Sequence, residues 1–189
     1  MKNHIIFLDN DGVICLGDNM GSRFKKQKKA YRGKECPKTN EIDIHCRFDN
    51  FDNKAIKVLN RILDKTGAEI VVSSDWKNYA TLDELGEYYN IQGINKKPIG
   101  VTGKFNDLFP SEWNVLRHRG DLEYERQAEI KHWLGEHPEV THWVAVDDLN
   151  MSIEYFDGKA GLTNFVWTSN WYEGIKQTGI EGKILKYLL

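Results

Sequence analysis

The 189-residue sequence is poor in the features that build disulfide scaffolds, membrane spans or polycationic proteins. Its three cysteines form an odd, scattered set, which argues against a disulfide framework and for a reducing compartment. Lys and Arg number 26 against 28 Asp and Glu, so any attraction to nucleic acid must come from a local patch. No apolar run approaches the ~20 residues of a membrane helix, and the first apolar run stops at Asp9, too early for a signal peptide. We therefore expect a soluble, cytoplasmic protein with no membrane partner and no obligate protein partner.

The motifs of several common enzyme classes are also missing. There is no Walker-type phosphate-binding loop, no G-x-G-x-x-G and no G-x-S-x-G. The sequence therefore lacks the motifs that usually indicate ATP-driven phosphorylation, dinucleotide chemistry or serine hydrolysis. Cys36, His45 and Cys46 lack a zinc-binding spacing and a fourth ligand, so the sequence does not predict a zinc site.

Short apolar runs alternate with helical patterns along the chain. Apolar runs predict strands at 4–8, 68–72, 98–102, 142–146 and 164–167, and three-to-four spacing predicts helices at 52–67, 81–90, 123–135 and 180–188. Residues 17–50 and 103–120 show no clear period. The alternation predicts a Rossmann-like three-layer α/β/α sandwich with a central parallel sheet. We expect one domain over residues 1–189, with a small cap-like insertion at about 16–50.

Reactive polar residues follow three of the predicted strands at the point where each apolar run stops. They are Asp9 and Asp11, Ser73 and Ser74, and Asp147 and Asp148. Because ligands of open parallel sheets bind outside the carboxyl ends of the strands, we expect these side chains at one edge. Clustered carboxylates repel one another unless a cation lies among them, and oxygen ligands suit Mg²⁺. The sequence therefore predicts a magnesium site.

The spacing at the first of these strand ends points to a particular chemistry. Asp9 and Asp11 are two residues apart, and Gly12 permits a sharp turn after them. If strand geometry ends at Asn10, both carboxylates can face one pocket. One can attack phosphorus to form an aspartyl-phosphate, while the other protonates the leaving oxygen and then activates water.

These residues carry a resemblance to a known family. The segment IIFLDNDGV, residues 5–13, resembles the first motif of the haloacid dehalogenase (HAD) superfamily of phosphohydrolases. The segments VVS, residues 71–73, and VAVDD, residues 144–148, resemble its second and fourth motifs. Together with PIGVT and R-x-x-E-I-x-x-W-L, they are similar to the HAD domain of Swiss-army-knife RNA-repair proteins. The resemblance spans about residues 4–150 and implies a Mg²⁺-dependent phosphatase that forms an aspartyl-phosphate.

The resemblance also implies a role for each motif residue. Asp9 would be the nucleophile and a metal ligand, and Asp11 the general acid/base, with its backbone carbonyl on the metal. Ser73 would hydrogen-bond the transferring phosphoryl group, and Asp147 and Asp148 would complete the metal site.

The remaining site residues are less sharply determined by the sequence. Arg126 opens a predicted helix and is the expected third-motif cation, with Arg119 and Lys131 as alternatives. The expected substrate-binding residues are Asn10, Ser74 and Lys77. Trp76 is expected either to contact substrate or to pack internally, whereas Trp133 and Trp143 are expected in the core.

One basic run stands out within the insertion. Seven of the twelve residues from Arg23 to Lys34 are basic, with Phe24 and Tyr31 interleaved. Lys and Arg can track a phosphate backbone while rings stack on bases, so this run favours RNA or DNA ends as partners. A solvated loop or an amphipathic hairpin is the alternative. We therefore expect a phosphomonoesterase for nucleic-acid terminal phosphates or nucleotides, with a non-catalytic phosphate- or RNA-binding module and a small-metabolite phosphatase as alternatives.

Overall fold

The computed structural model describes residues 4–112 and 121–189 of the chain. Its central sheet has five strands in the order β3-β2-β1-β4-β5, and every neighbouring pair is parallel. The strands are β1 (His4–Leu8), β2 (Glu69–Val72), β3 (Gly100–Val101), β4 (His142–Asp147) and β5 (Phe165–Trp167). Within this sheet Leu8 of the central strand β1 is level with Val72 and Val146. The carboxyl ends of β1, β2 and β4 therefore meet at one edge.

Helices connect and cover these strands. The helices described over their whole length are α1 (Ser22–Ala30), α2 (Ile44–Arg47), α3 (Asn53–Thr66), α4 (Leu82–Gln92), α5 (Phe105–Leu108), α6 (Leu122–Glu136) and α7 (Ile180–Leu188). Short 3₁₀ turns lie at Gly17–Asn19, Thr39–Glu41, Asp75–Asn78 and Gly174–Lys176. No helix in the described ranges is long and apolar enough to cross a membrane.

The strands bury both of their faces, as expected for a parallel sheet. Ile6 and Leu8 belong to a core cluster with apolar residues of α3, α4 and α7. Ile5 and Phe7 point to a second cluster, which holds Trp133 of α6. Helices therefore cover both faces of the sheet, and the predicted Rossmann-like architecture is confirmed.

Trp133 and Trp143, both expected in the core, belong to the second cluster. Trp133 is buried in that cluster, and Trp143 is partly buried against it. Both indole rings meet the Phe7 ring edge-on, with centroids 5.3 Å and 5.9 Å away. Such edge-to-face contacts add to the burial energy of the rings.

The bounds of helix α3 were predictable from the sequence because capping residues mark both of its ends. The Asp52 carboxylate accepts hydrogen bonds from the backbone N–H groups of Lys54 and Ala55, at 2.9 and 2.8 Å. At the other end Gly67 has φ +66°, the left-handed conformation that closes many helices. The cap residues and the apolar period agree, so the observed helix matches the predicted one.

The segments without a period contain helices that the sequence did not predict. Helix α1 lies within residues 16–50, the range predicted to be an insertion, and has no buried residue. It docks through polar contacts: Lys26 Nζ donates to Asn50 Oδ1 at 2.9 Å and to Tyr88 Oη at 3.0 Å. The four-residue helices α2 and α5 were likewise not predicted. A helix held by polar contacts buries no apolar stripe, so periodicity does not reveal it.

Candidate active site

Main-chain hydrogen bonds bring the predicted strand-end residues together. The Asp9 N–H donates to the Val146 carbonyl at 3.1 Å, and the Ser73 N–H donates to the Leu8 carbonyl at 2.9 Å. The sheet pattern therefore continues one residue beyond β1 and β2, which places Asp9 between Ser73 and Asp147. All three residues are buried.

A tight turn after Asp9 brings the second carboxylate back toward the site. The Asn10 carbonyl accepts from the N–H groups of Ile14 and Cys15 at 3.0 and 2.8 Å. Trp76 Nε1 donates to Asp11 Oδ2 at 2.8 Å, which orients the carboxyl group. Burial raises the pKa of Asp11. A raised pKa favours the protonated form that a general acid needs.

Three carboxylates form the candidate metal centre. Asp9, Asp147 and Asp148 each offer an oxygen, and these oxygens all lie within 4.8 Å of one another. Burial, then repulsion from Asp147, raises the pKa of Asp9 well above its usual range, and burial raises the pKa of Asp147 to about 7. Such a set of oxygen donors is costly without a cation and fits Mg²⁺. The side chain of Asp11 is not part of this trio, so its expected contribution is the backbone carbonyl.

This trio is the only one of its kind in the described ranges. Cys36, His45 and Cys46 do not form such a group with any described acidic residue, cysteine or histidine. Cys36 is exposed, and Cys46 is half-buried. The described residues therefore offer one candidate metal centre, at the carboxyl edge of the sheet.

Arg126 is the cation within this centre. Its Nη1 donates to Asp9 Oδ1 at 3.0 Å, to Asp147 Oδ2 at 3.1 Å and to the Ser73 carbonyl. The guanidinium is buried against these groups. Among the alternatives, Lys131 is exposed on α6, and Arg119 lies outside the described residues. Arg126 therefore contacts two of the three carboxylates, and its role as the third-motif cation stays a prediction.

Two buried polar atoms at the site have no hydrogen-bond partner among the described residues. They are Ser73 Oγ and Asn10 Nδ2. Tyr89 Oη donates to Asn10 Oδ1 at 2.6 Å, which holds the amide in one orientation. A buried polar group without a partner typically costs about 1–3 kcal/mol, so a ligand or an ordered water that bonds to it is favoured. Both atoms can donate to an anion such as a phosphoryl oxygen.

The structure gives internal partners to the other two predicted substrate-binding residues. Ser74 Oγ caps the 3₁₀ turn by accepting from Trp76 N at 3.5 Å. Lys77 is buried and forms an ion pair with Glu129, and its Nζ also donates to Thr102 Oγ1 at 2.9 Å. Substrate binding by Ser74 and Lys77 stays a prediction.

Glu129 has a structural role that sequence reasoning did not assign. It accepts from Lys77 and also from the Phe105 N–H at 2.8 Å, so it joins the turn after β2 to α5. It lies three residues after Arg126 on α6, on the same side of the helix. That spacing, visible in R-x-x-E, was the available signal.

Trp76 both packs internally and reaches the site. Its ring stacks on Phe48, with centroids 4.2 Å apart and planes 5° from parallel. The indole N–H meanwhile holds Asp11, as described above. Trp76 therefore packs internally, as one of the two predicted alternatives has it, and is only 5% exposed.

A cleft of about 490 Å³ opens beside Asp11. On one side it is lined by Asp11, Phe48 and Trp76, and on the other by Arg23, Phe24 and Gln27 of α1. The basic run is therefore not remote from the acidic centre. Its first turn forms a wall of the cleft.

Gly12 offers a test of the acidic trio. It has φ +70°, and a Cβ built there overlaps the Asp148 carboxylate. We expect Gly12→Ala to displace Asp148 and to weaken Mg²⁺ binding by roughly 10–100-fold, the range found when groups that orient metal ligands are lost. Isothermal titration with Mg²⁺ measures this directly.

Gly33→Ala is the matched control for this prediction. Gly33 has φ +74° and no atom within 4 Å of an added Cβ. It carries the same backbone strain, roughly 1–2 kcal/mol, without the overlap. Equal Mg²⁺ affinity in Gly12→Ala and Gly33→Ala would contradict the assignment of Asp148 as a ligand.

Comparison with known families agrees with this geometry. Residues 5–178 match the family described as the HAD domain in Swiss Army Knife RNA repair proteins. Comparisons with curated proteins and with solved structures found no match. The matched range includes Asp9, Ser73, Arg126 and the Asp147–Asp148 pair. The chain belongs to the family of HAD domains found in Swiss Army Knife RNA repair proteins.

Proposed function

We propose that this protein is a Mg²⁺-dependent phosphomonoesterase that is transiently phosphorylated on Asp9. Membership of the HAD family implies phosphohydrolase-type activity. One observation carries the mechanism: Arg126 bridges Asp9 and Asp147 in a buried acidic centre whose neighbour, Asp11, faces an open cleft. A nucleophile, a cation and a proton donor are thereby within one site.

The metal is assigned to the acidic trio. Asp9, Asp147 and Asp148 would hold Mg²⁺, together with the Asp11 backbone carbonyl. When bound, the ion offsets the negative charge of the carboxylates and of the phosphoryl group. Arg126 supplies further positive charge beside the nucleophile.

The reaction proceeds in two displacements on phosphorus. A carboxylate oxygen of Asp9 forms a bond to phosphorus while the bond from phosphorus to the ester oxygen breaks. The protonated Asp11 gives its proton to that leaving oxygen, so the alcohol departs neutral. Asp11, now a carboxylate, takes a proton from water as the water oxygen attacks the same phosphorus and the bond from phosphorus to the Asp9 oxygen breaks. Inorganic phosphate leaves, and Asp9 and protonated Asp11 are restored.

Neutral donors complete the phosphoryl site. Ser73 Oγ and Asn10 Nδ2 are buried and unpaired among the described residues, so each is free to donate to a phosphoryl oxygen. Donors fixed in a buried site stabilise developing charge without reorganising at the moment of reaction. A phosphoryl group bound here would therefore satisfy two buried donors that have no partner among the described residues.

The proposed substrates are nucleic-acid terminal phosphates or nucleotides. Residues 16–50 act as a small cap in this proposal, because α1 forms one wall of the cleft beside Asp11. The basic residues of α1 and the following turn favour a phosphate-rich substrate. The proposed setting is RNA or DNA repair in the cytoplasm.

The decisive assay measures phosphate release from a panel of phosphomonoesters. We expect Mg²⁺-dependent release that EDTA abolishes and Mg²⁺ restores, with 3′- or 5′-phosphorylated oligonucleotides among the best substrates. Release only from sugar phosphates would indicate a small-metabolite phosphatase. Salt-sensitive RNA binding without any phosphate release would indicate a non-catalytic module and would contradict the proposal.

Asp11→Asn tests the role of the general acid while leaving the nucleophile Asp9 unchanged. The amide cannot donate a proton to the leaving oxygen at comparable acidity, so turnover of an alkyl phosphate should fall by roughly 10²–10⁴-fold. The first step with p-nitrophenyl phosphate should suffer less, because nitrophenolate leaves without a proton. A burst of nitrophenol in rapid-mixing experiments measures that step. An equal loss in the first step for both substrates would contradict the role of Asp11 as the acid.

A further inference from the structure

The position of Asp11 defines where the leaving group lies. A general acid must reach the oxygen that departs from phosphorus, within hydrogen-bond distance. The Asp11 carboxyl group lines the cleft, and Trp76 holds it there. The alcohol part of the substrate therefore occupies the cleft, whereas the phosphoryl group lies toward Asp9.

The walls of the cleft suit a flat, aromatic leaving group. Phe24 is 60% exposed and Tyr79 48% exposed, and both side chains line the cleft. The Arg23 guanidinium lies over the Phe24 ring, 5.0 Å from its centroid. Exposed rings with adjacent cations are the elements that bind single-stranded nucleic acids, by stacking on bases and pairing with phosphates.

The cleft continues into a second depression along α1. This depression shares Phe24 and Gln27 with the cleft and is lined further by Lys28, Arg32 and Lys34. From Phe24 to Lys28 the helix advances about 6 Å, one turn along its axis. The two hollows therefore adjoin at Phe24 and Gln27, only the first is lined by Asp11, and together we call them the groove.

The cations of the second depression are available to a ligand. No salt bridge to Lys28, Arg32 or Lys34 occurs among the described residues, and all three are exposed. Lys26 of the same run is different, because its ammonium is bound to Asn50 and Tyr88. The run therefore contains cations that dock the helix and cations that are free, and of the free ones Lys28, Arg32 and Lys34 line the groove.

Resting on the proposed function, we infer that this groove holds a single-stranded oligonucleotide that carries the terminal phosphate. The terminal nucleoside lies in the cleft, with its base against Phe24 and Tyr79. The strand then passes Phe24, and its following phosphates contact Lys28, Arg32 and Lys34. The preferred substrate is a strand of several nucleotides rather than a mononucleotide.

The test compares substrates of different length in matched charge variants. One variant carries Lys28→Ala, Arg32→Ala and Lys34→Ala, and the control carries Lys54→Ala, Lys57→Ala and Lys186→Ala. The control lysines are exposed on α3 and α7, so both variants lose the same charge. The measurement is kcat/KM for phosphorylated mononucleotides and for single-stranded RNA and DNA tetranucleotides, with the phosphate at either end.

We expect the groove variant to lose at least about tenfold in the ratio of tetranucleotide to mononucleotide kcat/KM, with a log–log salt slope shallower by about two. The control variant should keep the wild-type length ratio and the wild-type salt slope. Phe24→Ala should lower the rate with every oligonucleotide by roughly tenfold, and Phe24→Trp should restore it, because stacking needs only a ring. An unchanged length ratio in the groove variant would overturn the proposal.

A binding experiment separates this proposal from the function on which it rests. Fluorescence anisotropy with labelled, phosphorylated tetranucleotides needs no turnover. Weaker binding by the groove variant than by the control supports the groove, even if no phosphomonoester is hydrolysed. Equal binding by both variants, in a protein that does hydrolyse phosphomonoesters, overturns the groove and leaves the proposed function standing.

Discussion

Asp9→Asn is expected to lower phosphate release by about 10³-fold or more, because an amide oxygen is a far poorer nucleophile than a carboxylate. The change keeps the shape of the side chain and an oxygen that can accept from Arg126. It also removes one charge from a trio whose burial and mutual repulsion raise the pKa of Asp9. We therefore expect the metal-free variant to melt at the same temperature as the wild type or above it.

The measurements are phosphate release with saturating Mg²⁺ and thermal unfolding in EDTA. Asp64→Asn is the matched control, since Asp64 is exposed on α3 and the same chemical change there touches no site residue. Loss of activity with retained stability assigns chemistry to Asp9. Activity within a few-fold of the wild type would rule out the phosphorylated Asp9.

Arg126→Met is expected to affect both activity and stability. Its guanidinium donates to Asp9, Asp147 and the Ser73 carbonyl, and all of these groups are buried. Removing one partner of a buried ion pair typically costs about 3–5 kcal/mol, because the remaining charge is left uncompensated. Phosphate release should fall by roughly 10²–10³-fold, as when a fixed donor to developing charge is lost.

Denaturant unfolding with and without Mg²⁺ checks the stability effect. A cation bound to the trio offsets part of the uncompensated charge, so Mg²⁺ should stabilise Arg126→Met more than the wild type. Lys131→Met removes an exposed cation from the same helix and should leave both properties unchanged. Loss of activity in Lys131→Met, but not in Arg126→Met, would show that the third-motif cation has been assigned to the wrong residue.

Signals that are local in the sequence were sufficient to predict the parallel sheet and the polar residues at the ends of its strands. Apolar runs that stop at Asp9, Ser73 and Asp147 predicted strands ending at one edge, and these strands are neighbours in the sheet. Parallel strands align their carboxyl ends, so a position next to a strand end already implies a position in space. The caps of α3 were similarly local, because they involve residues within a few positions of one another.

Tertiary structure decided the contacts between distant segments. Arg126 meets Asp9 across 117 residues, and α1 docks on Asn50 and Tyr88 by polar contacts. Neither arrangement leaves a period in the sequence, because a hydrogen bond depends on the placement of two side chains and not on a repeated apolar pattern.

Residue spacing was enough to predict a parallel sheet, the edge at which three of its strands end and the carboxylates at that edge. Packing of segments far apart in the sequence set which cation joins those carboxylates and which cations of the basic run are bound rather than free. The burial of apolar side chains follows from the spacing of residues along one segment, so it can be predicted locally. The pairing of buried charges depends on how separate segments pack together, so it cannot.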